Sequence, residues 1–434
     1  MVTGVHVPAA SVEKRAIRKI TLRIIPFIFV LYIVAFLDRI NITFASLTMN
    51  EELMIGSAQY GLLVGVFFIG YFIFEIPSNL LLHKIGPRVW IARILITWGL
   101  IAALTGLARN AHQLYGLRFA LGIAEAGFAP GMLLYLTYWF PRRERARAIG
   151  LYLAGMPIAT ILGAPLSGLI LDNVHWLGLS SWRWLLILEG VPAIFLGALT
   201  YFLLPGRPAE AAFLATDEKH WLVAKLSEDE RDALAYGEPS VIAALRDGRV
   251  WTLVGVYFGI LIGLYAFNFW APQLIKTASG GLSNSALGLL VMIPSLVGLV
   301  AMISISKHSD RVLERRYHVA IPVILAGGSL ILLAATTSIA PTLAMLCAIA
   351  IGVYGFFGPF WALPSDFLTG YSAAAGLALI NACGNLAGFV GPYTIGVVAQ
   401  RTGSTSIGLM LSGISMLVAA GLALRLQTSA RPPA

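Results

Sequence analysis

Long, unbroken apolar stretches of about 20 residues recur through most of this chain and constrain its fold more than any other feature. Each is near the length that crosses a bilayer as an α-helix. In lipid every backbone N–H and C=O needs an internal partner, so only helices and closed barrels can span it. Barrel strands alternate apolar and polar residues in short segments. These runs are continuous, so the chain reads as an all-α integral membrane protein. Composition agrees: 58% of the 434 residues are hydrophobic and 12% are charged, against about 25% charged in an ordinary soluble domain.

Twelve spans are predicted, at about 22–46, 59–83, 89–109, 112–138, 147–172, 183–204, 250–275, 284–306, 318–338, 341–364, 373–400 and 404–426. The fourth, fifth, tenth and eleventh carry breaking Gly and Pro, such as Gly127 with Pro130, Gly163 with Pro165 and Gly391 with Pro392. The expected organisation is a cytoplasmic N-terminus (1–21), a six-helix half (22–204), a cytoplasmic central loop (205–249), a second six-helix half (250–426) and a cytoplasmic tail (427–434). The central stretch holds nine acids and six Lys or Arg. Its segments DEKHWLVAKL and SVIAALRDGRVW have the amphipathic spacing of short surface helices, and a plain linker suffices as its role.

Basic residues gather on one side of the spans: Lys14, Arg15, Arg18 and Lys19, then Lys84 and Arg88, then Arg142, Arg143, Arg145 and Arg147, then Lys307, Arg311, Arg315 and Arg316. The other side has Glu51, Glu52 and Asp172. The positive-inside rule places the basic side and both termini in the cytoplasm of a multi-pass protein of the cell (inner) membrane. The net charge of +9 is spread over these loops, so no nucleic acid is expected as a partner. Cys347 and Cys383 show no metal-like spacing and imply no disulfide framework. The basic N-terminal segment precedes a span too long and too charged for a cleaved signal peptide.

Asp38 and Arg39, and Arg118 and Glu125, lie inside otherwise apolar spans. A charge at the bilayer centre costs about 2.5–3.5 kcal/mol even on lenient scales, so such groups usually face a polar cavity and work there. Arg118 and Glu125 are seven residues apart, about 10.5 Å along a helix and on nearly one face. They cannot pair directly, so each needs a partner on another helix. Asp38 and Asn41, three apart, share a face. A packing-only ion network is the bland alternative, but four ionisable groups in two spans exceed what packing needs. With both acids ionised the four groups sum to zero. A monoanion makes the site negative and one proton restores neutrality, so substrate and proton should move together. The planar guanidinium suits a carboxylate. Glu75 and Glu189, placed nearer span ends, read as structural contacts. His83, His308 and His318 read as loop residues with no metal-ligand set.

The halves repeat weakly. Gly127-Phe128-Ala129-Pro130 matches Phe356-Phe357-Gly358-Pro359, while Arg118 and Glu125 fall opposite the uncharged stretch from Met345 to Gly352. Internal repeats of this kind mark secondary transporters with a midplane site between the repeats.

On LDRINI (37–42), FFIGYFIFEIPSNLLLHKIGPRVWIAR (67–93), RFALGIAEAGFAPGMLLYLTYWFPRRERARA (118–148), SWRWLLILEG (181–190) and KHSDRVLERR (307–316), the chain resembles the anion:cation symporters of the major facilitator superfamily. Bacterial tartrate-type permeases read very like the second and third of these stretches. The resemblance implies a proton-coupled carrier with alternating access and no cofactor. It implies Arg39, Arg118, Tyr71, Trp361 and Asn381 at the substrate, and Asp38 and Glu125 in proton coupling. Met156 stands where sugar-acid carriers of the family have a hydroxyl-binding Gln, which favours smaller or aromatic carboxylates. The family's loop motif is altered: Asn79 and His83 replace the usual Gly and Asp, while Lys84 and Arg88 are kept, and the second copy keeps Asp310 and Arg311. The resemblance gives these charges a gating role.

The expectation is proton-coupled uptake of a small organic anion, tartrate-like or aromatic, by a monomer in the lipid bilayer. Efflux or anion exchange by the same fold is the alternative. No Ser/His/Asp set or metal cluster lies in the spans, so an enzyme is not expected. The repeat and the broken helices argue against a channel.

Overall fold

The computed structural model describes residues 9–234, 245–366 and 370–426. The outer tails and most of SVIAALRDGRVW's first half lie outside the described residues. Twelve helices are long and apolar enough to cross a membrane. In chain order they are span 1 (Ser11–Glu52), span 2 (Ser57–Ile85), span 3 (Pro87–Thr105), span 4 (Ala111–Thr137), span 5 (Arg142–Asn173) and span 6 (Ser181–Leu203). Span 7 (Gly248–Ser279), span 8 (Asn284–Val312), span 9 (Arg316–Leu333), span 10 (Ile339–Ala362), span 11 (Gly376–Thr402) and span 12 (Ser406–Arg425) follow. Outward-facing aliphatic side chains such as Ile76, Phe202 and Val300 are well exposed, as lipid contact requires. The first helix begins at Ala9 and runs for 44 residues, much further toward the N-terminus than position 22. Its extra turns carry Arg15 and Lys19, which pair with Asp217 at 2.7 Å and Glu218 at 2.8 Å. These acids open the helix Thr216–Leu234, so the central segment docks on the first half.

The four spans expected to break do break, although two of the breaks fall elsewhere. Span 4 is interrupted between Glu125 and Phe128, and span 10 between Gly355 and Phe357. Span 5 is interrupted at Ala154 and span 11 at Leu386. Pro165 and Pro392 continue inside helices. A proline ring presses on the carbonyl four residues earlier and offers it no N–H. Pro130, Pro157 and Pro359 therefore unsettle residues 126, 153 and 355, at or beside three of the breaks. Gly127 adopts φ +84°, and a Cβ there would sit 2.4 Å from Ser78 Oγ. Only glycine fits that turn against span 2.

Packing repeats between the halves. Span 1 lies against spans 5 and 6, span 2 on span 4, and span 3 on span 6; span 7 lies against spans 11 and 12, span 8 on span 10, and span 9 on span 12. The halves meet where span 2 packs on span 11, span 5 on span 8 and span 1 on span 7. These seams are tightest at the end remote from the basic loops. A Cβ on Gly288 would lie 2.2 Å from the Ala164 carbonyl. There too Asp172 accepts from Asn284 Nδ2 at 2.8 Å and Ser285 Oγ at 2.7 Å. Gln273 donates to Ser46 Oγ at 2.8 Å, and Lys276 to the Leu47 carbonyl at 2.7 Å.

Candidate functional site

Span 1 presents successive residues to different neighbours. Asp38 turns to span 3, and Arg39 turns to spans 2 and 4. Arg39 donates through a guanidinium nitrogen to Glu125 Oε1 in a part-buried ion pair. Its partner is therefore the acid of the fourth span and not its sequence neighbour. Asp38, fully buried, accepts from Asn41 Nδ2 at 2.9 Å and from the indole N–H of Trp98. The shared face of Asp38 and Asn41 is thus realised as a direct hydrogen bond.

Arg118 is 1% exposed. Its Nε and one terminal nitrogen, Nη2, have no hydrogen-bond acceptor among the described residues. Its guanidinium carbon lies 5.1 Å from the centre of the Phe67 ring, and that of Arg39 lies 5.4 Å from the same ring. Tyr71, one turn beyond Phe67, is buried with Arg39 5.5 Å from its ring centre. Two guanidiniums thus converge on one aromatic ring. Each is attracted by the ring's quadrupole, but only Arg39 is neutralised by a carboxylate bond. Glu125 Oε2 and Arg39 Nε are also buried without partners. Unpaired buried donors are costly, and those of a charge more so. The arrangement suits an anion able to accept from the Arg118 fork.

The second half supplies aromatic and amide groups. Trp361, half-buried, packs edge-on against Tyr257 with ring centres 5.1 Å apart. Tyr257 also stacks on Phe360 at 5.0 Å. Asn381 reaches across the halves and donates to Glu75 Oε1 at 3.1 Å. The structure therefore brings Arg39, Arg118, Glu125 and Tyr71 together and holds Asp38 one helix layer behind them. Trp361 and Asn381 stand on the facing half. Met156 is buried just past the break in span 5.

The loop charges are dispersed. Lys84 is exposed in the last turn of span 2. Arg88 donates to the Tyr201 carbonyl and covers the Tyr201 ring at 5.1 Å, tying span 3 to span 6. Asp310 pairs with Arg315 at 2.5 Å within its own half, and Arg311 is exposed. His308 and His318 have ring nitrogens 2.6 Å apart, with Glu314 2.6 Å from His318. Hydrogen bonds from the Tyr317 and His318 backbones and from the His318 ring hold the Glu314 carboxylate below its usual range, despite the opposing effect of partial burial.

One group is not marked by the sequence. Trp98 closes off Asp38, and nothing in its own span marks it apart from other interfacial tryptophans. Glu75 and Glu189, read from the sequence as structural contacts, lie deep in the packing. Each is only 5% exposed, and Glu189 accepts from Ser167 Oγ at 2.8 Å inside the first half. Both are acids within apolar runs, and their burial places them in the helix packing.

Two six-span halves around a charged, apolar-walled interior define a multi-pass membrane transporter. The chain belongs to the Major Facilitator Superfamily, whose model matches residues 28–392. A protein of Agrobacterium vitis named "Putative tartrate transporter" is 44% identical over 97% of this chain and 96% of its own length. The "Putative metabolite transport protein NicT" of Pseudomonas putida is 43% identical over 94% of this chain and 93% of its own. A "Quinolone resistance transporter" of Acinetobacter baumannii is 40% identical over 93% of both. Among solved structures, a bacterial homologue of the human lysosomal transporter Spinster, inward-facing and unoccupied, superposes with a TM-score of 0.72 at 17% identity. It covers 92% of this chain and 95% of that one. That likeness concerns the fold. Family and relatives alike are transporters and not enzymes.

Proposed function

We propose that the protein imports a small organic anion together with protons, by alternating access across the cell (inner) membrane, with both termini cytoplasmic. A compact hydroxy acid of the tartrate type is the first choice, and an aromatic carboxylate the second. One observation carries the reading: Arg118 is a buried guanidinium with two nitrogens, Nε and Nη2, that find no acceptor among the described residues. A substrate carboxylate placed there accepts bidentately. The names of the tartrate relatives support the choice of anion.

The ion pair beside Arg118 supplies a coupling device. In the arrangement seen, the Glu125 carboxylate occupies Arg39. A proton on Glu125 removes that charge and frees Arg39 to assist Arg118 in holding the anion. Proton and substrate then favour each other, because an uncompensated charge in this interior is expensive. Asp38 stands behind as a second acid in the same charge balance. Tyr71, Trp361 and Asn381 shape the remaining walls. The seams sealed at the end remote from the basic loops support a state open toward the cytoplasm, and Lys84, Arg88, Asp310 and Arg311 belong to the gating of that side. The carrier works as a monomer without a cofactor.

The test is uptake of labelled tartrate, and separately benzoate, into proteoliposomes with and without an inward proton gradient. Saturable, gradient-driven accumulation of either is expected. Failure to transport or exchange any carboxylate overturns the reading. The relative named for quinolone resistance favours outward transport as the second reading. Accumulation of a quinolone in inside-out vesicles, with no uptake of carboxylate in right-side-out ones, decides for it.

A further inference from the structure

The middle of the bundle holds more acid than the uptake mechanism uses. Asp38, Glu75, Glu125 and Glu189 are buried there against Arg39 and Arg118. If all were ionised, two negative charges would be left over, each costing several kcal/mol to bury. Glu125 has the Arg39 ion pair. Asp38 has an amide and an indole donor, with Glu125 and Arg118 as its charged neighbours. Glu75 and Glu189 have no guanidinium bond. Each has one oxygen on neutral donors, Asn381 for Glu75 and Ser167 for Glu189, and one buried oxygen, Oε2, without a partner. These are the two acids best accommodated as neutral groups.

They differ in what happens when the halves move. Glu189 and Ser167 both belong to the first half, so their bond survives any rocking of one half on the other. Glu75 lies on span 2, and the side chain that satisfies it lies on span 11 of the other half. The charged and titratable groups around Glu75 are Arg39 from span 1, Tyr71 from its own span, and Tyr257 and Tyr265 from span 7. Span 4 adds Glu125, through its bond to Arg39. No partner fixes Glu75 as a carboxylate once Asn381 withdraws.

We infer that Glu75 carries a second transported proton, which burial at the seam between the halves retains in this arrangement and which is exchanged with water when they part. The inference rests on the proton-coupled reading and deepens it. A dianionic substrate then crosses with two protons, one answering to the Arg39–Glu125 pair and one to Glu75.

Two measurements test it. Infrared difference spectra of the purified wild-type and Glu75→Gln proteins read the charge state without any substrate. Loss of one protonated-carboxylic-acid carbonyl band in the variant is expected, and an unchanged band set overturns the inference. In proteoliposomes with the membrane potential clamped, tartrate is the probe. Two coupled protons change the limiting accumulation about a hundredfold per pH unit and one proton about tenfold. Wild type and Glu189→Gln should show the steeper dependence, and Glu75→Gln the shallower. A hundredfold slope in Glu75→Gln, or a drop in Glu189→Gln alone, overturns the assignment. Should Glu75→Gln fold poorly, Asn381→Leu keeps the acid and removes its cross-half partner. It should retain the acid band and, without the N–H that favours the carboxylate, release its proton less readily, so that the pH dependence of accumulation becomes shallower; an unchanged hundredfold slope in it counts against the role of the Glu75–Asn381 contact. Wild type that ignores tartrate refutes that substrate and leaves the infrared result to judge Glu75. Wild type that accumulates it regardless of pH refutes the coupling reading and this inference together.

Discussion

The two halves share one packing plan and divide the chemistry unequally. In the first, Arg39, Arg118, Asp38, Glu125, Glu75 and Glu189 lie in the interior. In the second, the interior holds Tyr257, Phe360, Trp361 and the amides of Asn268 and Asn381. Span 10 repeats the break of span 4 but has no charge where span 4 has Arg118 and Glu125. The packing of helices repeats between the halves, and the buried charges do not. An anion site built from both halves equally would have to desolvate twice as many. Concentrating charge on one side leaves the other as an apolar and amide wall facing it.

Replacing Arg118 should break this division most severely. Removing one partner of a buried charge interaction costs about 2–5 kcal/mol, so Arg118→Ala should weaken tartrate binding about thirtyfold to several thousandfold. Arg118→Lys keeps the charge, loses the fork and should fall close behind. Calorimetric or thermal-shift titration measures both, and unaltered affinity in Arg118→Ala would put the anion elsewhere.

Glu125→Gln mimics the protonated acid. It should still bind and exchange tartrate while losing accumulation against a gradient when a pH step is imposed. Asp38→Asn should show a related, milder defect. If both variants accumulate like wild type in proteoliposomes, Asp38 and Glu125 are structural.

The seam comes next. Gly288→Val sets a side chain against the Ala164 carbonyl, where a Cβ already lies at 2.2 Å. Overpacking of this kind costs about 1–3 kcal/mol, so the sealed end should loosen and spin-label distances across spans 5 and 8 should widen there. Unchanged distances would mean that the seal depends on other contacts.

The smallest effect is expected on the second-half wall. Trp361→Ala removes an aromatic contact worth about 0.5–1.5 kcal/mol, about two- to tenfold in apparent affinity. Its dependence on the proton gradient should stay intact. A loss of coupling as deep as that of Glu125→Gln would end the distinction between a charged half and a passive one.

Much of this was legible in the chain. Unbroken apolar length dictates helices, because lipid offers the backbone no partners. The expense of burying charge singles out Arg39, Arg118, Asp38 and Glu125, and the repeat of Gly127–Pro130 in Phe356–Pro359 marks two breaks that the structure contains. The break of span 5 was legible too, from Pro157, had the four-residue reach of a proline been applied in place of its nearest glycine. Tertiary structure alone decided which charges meet. Helical periodicity tells which residues share a face, but not how one helix is turned or slid against another. Asp38 and Arg39, adjacent in sequence, point about 100° apart around their helix, so one finds Trp98 and the other Glu125. The same freedom of rotation put Glu75 opposite Asn381, 306 positions away, a contact that no local pattern encodes because its two residues belong to different halves.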